Sequence, residues 1–191
     1  MKYEDRFDSL MEYLAGEIFP DIDWLIVKAQ CWQESRMKTD ALSPAGCKGL
    51  MQISEPLAKE RLAHPEFVWY PDVNLRLGVE YLKEQYDHFP EIPLHHNKLL
   101  FALASYNCGR GYVNMALRLA RHDEKRTIRQ PGHWQSWTHS GPYLRDPRCV
   151  WRAKRPDWRQ VLEYVEKIMW KYSELKASSE FRVPGSGCSE L

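Results

Sequence analysis

The chain has 191 residues and a mass of 22.6 kDa, room for one domain of ordinary size, and its 43% hydrophobic and 28% charged residues exclude wholesale disorder. A net charge of +1 excludes the basic balance of a nucleic-acid binder, and five irregularly spaced cysteines with no CxxC pair argue against a zinc clamp or a full disulfide framework. Aromatic residues are abundant, with 8 Trp and 10 Tyr, side chains that line sugar clefts as well as cores.

The N-terminal stretch mixes Glu4, Asp5, Arg6, Asp8 and Glu12 with apolar residues, unlike the basic-then-apolar layout of a secretory leader. No run of about 18 apolar residues predicts a membrane span. The expectation is synthesis in the cytoplasm without a signal peptide, and no membrane insertion. Tyr3, Phe7, Leu10, Met11 and Leu14 recur at helical intervals, with Gly16 and Pro20 as the stop. A second helix capped by Asp21 or Asp23 carries Trp24, Leu25, Val27, Cys31 and Trp32, and Glu34 falls near its end. Turn residues then dominate to Gly49, followed by Leu50-Met51-Gln52-Ile53, which suits an extended segment, and by Pro56 in the first turn of a short helix. Asn74 is a candidate cap for a helix carrying Leu75, Gly78, Val79, Leu82 and Tyr86.

Residues 99–106 are apolar almost all round, the pattern of a central buried helix, and Cys108-Gly109-Arg110-Gly111 breaks it before 113–120 resume helical spacing. The segment 121–159 has no clear period and holds ten basic and four acidic residues, whereas 1–23 holds two basic and seven acidic, so the charge is polarised along the chain. A loop this long is more often functional than not. Val161, Leu162, Val165, Ile168, Met169 and Tyr172 mark a last helix, and the Ser- and Gly-rich residues after Lys176 read as a frayed tail. The expected organisation is a mainly α single domain over 1–175, with a Trp- and Arg-rich insertion at 122–157, a small β or irregular element after the second helix, and a flexible tail at 176–191.

Glu34 stands between an apolar helix and a Gly-rich loop. A carboxyl in that setting has its charged form disfavoured, stays protonated near neutral pH and can act as a general acid, as cleavage of a glycosidic bond requires. Around it, Glu34-Ser35, Ser43-Pro44-Ala45-Gly46 and Gly49-Leu50-Met51-Gln52-Ile53 resemble the first blocks of the soluble lytic transglycosylases. Asn74 to Leu82, Ala104 to Gly109 and Glu163-Tyr164-Val165 resemble the later blocks, in the family's order. Three details depart from the pattern: Pro56 comes one position late, Cys47 and Cys108 replace small residues, and the last block lacks Thr-Arg before its Tyr.

The resemblance implies a goose-lysozyme-like fold and peptidoglycan glycan strands as substrate. It implies cleavage of the β-1,4 bond between N-acetylmuramic acid and N-acetylglucosamine, with closure of a 1,6-anhydro ring and no need of a metal or organic cofactor. By the same resemblance Glu34 is the single catalytic acid and base. Ser43, Met51, Gln52, Tyr106, Asn107, Glu163 and Tyr164 match substrate-binding positions, with Tyr106 pointing its phenol at the catalytic carboxyl, Asn107 serving mainly the turn, and Glu163 and Tyr164 at the cleft's edge. A soluble enzyme of this kind needs a route to the wall, and a phage setting, holin-released or virion-carried, or a secretion machine would supply it along with protein partners. Two other readings compete. One is a lysozyme-type hydrolase with Asp40 or Glu55 placing water. The other is a non-catalytic wall-binding component of a phage particle or secretion machine. Nucleic acid is not expected as a partner. In the insertion, Trp134, Trp137, Trp151 and Trp158 fit a cleft wall or a docking surface.

Overall fold

The computed structural model describes residues 5–126 and 132–180. Eight α-helices lie among them: α1 (Asp8–Ile18), α2 (Leu25–Ser35), α3 (Glu55–Arg61), α4 (Pro71–Asp87), α5 (His95–Cys108), α6 (Arg110–Arg126), the single turn α7 (Trp137–Ser140) and α8 (Trp158–Glu180). Among the described residues, β structure is confined to isolated bridges, two of them (Leu42 with Lys48, Lys48 with Ile53) in the segment after α2. The fold is mainly α with a small irregular element where the sequence places it.

Helix α5 is the centre. Leu99 to Ser105 are all buried, and α4, α6 and α8 pack around it. Helix α2 lies along α8, and α1 is tied to α2 by Lys28, whose buried ammonium sits 2.8 Å from both Asp5 and Asp8. Two residues of the acidic N-terminal stretch therefore neutralise a buried cation.

Several boundaries differ from expectation. Helix α1 runs through Gly16, because a glycine costs only about 1 kcal/mol in a helix, and it stops where Phe19 is buried and Pro20 lacks an N–H. Asp23 does cap α2, accepting from Leu25 N at 3.0 Å. The 50–53 run is a turn rather than an extended segment, with Gln52 at φ +49°. Helix α8 continues to Glu180, so the expected tail is helical over 176–180. There Ser178 and Ser179 hydroxyls bond back to the carbonyls of Glu174 and Lys176, and Lys176 donates to the Tyr172 hydroxyl. The rest of that tail, 181–191, falls outside the described residues.

In the insertion, short helical turns replace the expected long loop. Trp134 and Trp137, and Trp158 at the start of α8, pack partly buried on the core, Trp137 edge-on to Phe101, while Trp151 lies over Gly111 and is 44% exposed. Cys31, Cys47, Cys108 and Cys149 are free thiols.

Asn74 is not a cap. Its N–H bonds to Tyr70 O inside α4, which starts at Pro71, and its side chain is buried. The amide oxygen accepts from Met51 N at 2.8 Å, and the amide nitrogen donates to Lys48 O and Val68 O, both at 2.9 Å. Met51 N and Lys48 O belong to a turn whose ladder is a single bridge, Lys48 with Ile53, so one side chain supplies what a sheet would and ties the turn to Val68 in the short helix Pro65–Trp69. The approach is close: a Cβ on Gly49 would lie 2.3 Å from Asn74 Nδ2, and one on Gly78 would lie 2.5 Å from Met51 Cγ. Replacing Asn74 by Ala strands the buried Met51 N–H, takes a donor from Val68 O and leaves Lys48 O only its bond from Ile53 N, and should cost about 2–4 kcal/mol, read as a lower urea midpoint. An unchanged midpoint would mean that water or a shifted loop satisfies them.

Candidate active site

Helix α2 ends abruptly just after Glu34. Arg36 and Met37 both take left-handed backbone, φ +54° and +65°, which non-glycine residues rarely adopt. Burial of the Met37 side chain and the Arg36 guanidinium, 3.5 Å from the Trp32 ring centroid, hold the reversal. Glu34 is thus left at the rim of a cleft of about 610 Å³. The loop 43–54, Tyr81 of α4, the C-terminal end of α5 and Gln160 of α8 complete its walls.

The carboxyl is held from α8. Tyr164, itself buried, donates its hydroxyl proton to Glu34 Oε1 at 2.5 Å, and Gln30 Nε2 donates to the same hydroxyl at 3.1 Å. Burial pushes the Glu34 carboxyl up to about 7, and the phenol's hydrogen bond pulls the other way. The groups facing it, Cys31 of α2, Tyr106 of α5 and Tyr164, are each held well above their ordinary values by burial and by the neighbouring carboxyl. All three are neutral at neutral pH. Glu34 is therefore a protonated or half-protonated acid at neutrality, open to a cleft, with one oxygen fixed.

The other anticipated residues divide. Ser43 lines the cleft, and its Oγ accepts from Cys47 N at 3.0 Å while closing the 43–47 turn, which leaves the hydroxyl proton for a ligand. Gln52 lines it too; its Nε2 donates to Ala41 O and Gly49 O, which leaves Oε1 as an acceptor. Asn107 lies in the lining at the end of α5.

Four expectations are corrected. Met51 is fully buried against Gly78 and Cys31, so its side chain cannot meet a sugar. Tyr106 does line the cleft, but its hydroxyl donates to Met51 O at 2.8 Å, not to the carboxyl, and its ring stands edge-on to Tyr81 at 5.2 Å. Tyr164 is not at the edge but inside, on Glu34. Glu163, one residue and about 100° round the helix from it, points to solvent and pairs with Lys167 at 2.9 Å. None of Trp134, Trp137, Trp151 and Trp158 is in the cleft lining.

Sequence reasoning missed Gln30 and Tyr81. A polar residue four positions before Glu34, on a helix face otherwise built of Ile26, Val27 and Cys31, was the available signal for Gln30.

Residues 18–129 match the family model described as Transglycosylase SLT domain. The chain is 31% identical over 175 residues to a membrane-bound lytic murein transglycosylase F of Photobacterium profundum, covering 89% of this chain and 32% of that protein. It is 34% identical over 173 residues to the protein of the same name in Desulfosudis oleivorans, covering 90% and 36%. The chain thus spans about a third of the length of these relatives. Among solved structures, an inactive mutant of the lytic transglycosylase Slt from Pseudomonas aeruginosa superposes with a TM-score of 0.65 at 22% identity, over 96% of this chain and 26% of that one. The 70 kDa soluble lytic transglycosylase in complex with bulgecin A gives 0.61 at 19% identity, over 93% and 25%. The shared fold is that of a lysozyme-like transglycosylase domain.

The raised carboxyl is also a stability term. Below pH 4.5 Glu34 is protonated whether the chain is folded or not. Between 4.5 and about 7 the unfolded chain releases the proton and the native site keeps it, so stability falls as pH rises. The full deficit is about 3 kcal/mol at ~1.4 kcal/mol per pH unit. A Glu34→Gln protein, whose amide mimics the protonated acid, should match the parent at about pH 4 and exceed it by about that amount at about pH 8 in urea unfolding. Parallel curves at both pH values would contradict the buried-acid reading.

Proposed function

The chain belongs to the transglycosylase SLT family, and on that footing we propose that it is a peptidoglycan lytic transglycosylase. It cleaves the β-1,4 bond between N-acetylmuramic acid and N-acetylglucosamine and closes a 1,6-anhydro ring on the muramic acid. The observation that carries this reading is a single carboxyl, buried to a value of about 7, at the rim of a cleft that has no second acid in its described lining. Glu34 first gives its proton to the glycosidic oxygen as the C1–O bond breaks. As a carboxylate it then takes the proton of the 6-hydroxyl while that oxygen bonds to C1. The acid ends as it began and no water is consumed. A group that must give and then take one proton works best with its pKa near the working pH. The Tyr164 hydroxyl supports the charged half of the cycle, as a donor already in place.

A hydrolase would need a second group to activate water. Asp40 is exposed and outside the cleft lining. Glu55 is exposed and engaged by Lys48 at 2.7 Å and Lys59 at 3.1 Å, which holds it below the usual carboxylate range. Ser43, Gln52 and Asn107 are the proposed sugar contacts, since each lines the cleft and the first two keep a hydrogen-bonding valence unspent. The names of the relatives, murein transglycosylases, support the same substrate.

Digestion of purified peptidoglycan followed by mass spectrometry tests the reading. Soluble muropeptides with anhydro ends are expected, absent with Glu34→Gln, and the rate should fall on the alkaline side with a midpoint near 7. Products heavier by one water would identify a hydrolase, and no soluble product would favour a non-catalytic wall-binding protein.

A further inference from the structure

Gln30 is fully buried one helical turn before Glu34 and cannot touch substrate. An amide removed from water is costly unless it is bonded, so a glutamine in this core calls for a reason. Its Nε2 donates to the Tyr164 hydroxyl at 3.1 Å, and its Oε1 is buried with no partner among the described residues. The Tyr164 hydroxyl in turn donates to Glu34 Oε1.

A phenol has one proton. With an N–H aimed at its oxygen, that proton is committed to Glu34 Oε1. The same N–H occupies the phenol's acceptor side, so Glu34 is kept from turning its own proton toward Tyr164. Oε1 therefore serves as acceptor in both charge states, and the exchangeable proton resides on Oε2, the oxygen that opens to the cleft.

We propose that Gln30 is a positioning residue that acts through Tyr164 to confine the working proton of Glu34 to Oε2. The proposal rests on the reading of Glu34 as the acid and base. A reversed amide would undo the arrangement. With Gln30 Oε1 facing the phenol, the tyrosine proton would turn to Gln30, and Glu34 would spend its own proton on the phenol. The groups that face the carboxyl from each packed element are Cys31 on α2, Tyr106 on α5 and Tyr164 on α8, with Tyr81 on α4 behind Tyr106. The two cations of α2 and its cap are engaged elsewhere: Arg36 stacks on the Trp32 ring at 3.5 Å, and Lys28 is held by Asp5 and Asp8. A titration near neutrality at this site is therefore that of Glu34.

Two near-isosteric variants test the proposal. Gln30→Met and Gln30→Leu both delete the donor, with an unbranched and a branched apolar side chain. On purified peptidoglycan, Gln30→Met should lower kcat about three- to tenfold, the scale of one lost hydrogen bond, with KM unchanged and the alkaline midpoint moved upward. Gln30→Leu should lower kcat to a similar extent and move the midpoint in the same direction. In a Tyr164→Phe background, Gln30→Met should add nothing, since Gln30 acts only through the hydroxyl. Unchanged kcat and pH profiles in both Gln30 variants would overturn the proposal, as would a loss confined to KM or an equal loss in the Tyr164→Phe background.

A readout without turnover separates this from the functional reading. If the parent releases no soluble product, the transglycosylase assignment fails. The relay is then judged by the pH at which the growing stability advantage of a Glu34→Gln protein levels off, near 7 in the parent. That plateau should be reached at higher pH with Gln30→Met in both members of the pair. No change there would sink the relay as well.

Discussion

A carboxyl group taken out of water is the constraint on which this molecule depends. Burial makes Glu34 a usable acid at neutral pH, and burial also makes it a liability, since its charged form has lost its solvent. The fold answers with neighbours that hold the group without charging it. Cys31, Tyr106 and Tyr164 surround it as neutral hydrogen-bonding or polarisable groups, and the nearest lysine along the helix is diverted to two aspartates across the α1–α2 contact. An ammonium beside Glu34 would have pulled its pKa down and turned a proton donor into a permanent anion.

The irregular segment facing Glu34 is governed by a different necessity. A turn between helices has only the Lys48–Ile53 bridge to absorb its backbone groups, yet Gly49, Leu50 and Met51 are buried away from water. Asn74 supplies the missing partners from α4. The close fit of Gly49 on Asn74, and of Gly78 on Met51, sets how near that helix can come. Tyr106 adds a further bond, from α5 to Met51 O. Ser43 and Gln52 sit on a loop that is fastened from two helices, so their orientation is inherited from the core.

The helical periods, the central position of α5 and the acid itself are legible in the sequence, because each depends on local spacing. What stays obscure there depends on how distant elements cross. Tyr106 and Tyr164 are both tyrosines in matching blocks, and nothing local decides which of them reaches Glu34. That follows from α8 lying along α2. Met51 occupies a motif position and reads as a cleft residue until Gly78 is seen to admit its side chain into the core. The Glu163-Tyr164 pair shows the limit of reading a block as a unit, since neighbours on a helix face different ways. Ser178 and Ser179 suggest fraying by composition, whereas α8 runs through both to Glu180 with their hydroxyls bonded back to its own carbonyls.

The hydrogen bond between Glu34 and Tyr164 joins residues 130 positions apart. That separation orders events during biosynthesis. A ribosome delivers the acid, its loop and the whole span matched by the family model long before it delivers α8. Until that last helix docks, the acid has neither its phenol nor its apolar cover, and an uncovered carboxyl has an ordinary pKa and is ionised in the cell. Contacts of such long range form late in folding. Glu34 thus carries an ordinary carboxyl while the chain is being made and becomes a poised acid only when α8 closes on the first residues of the site.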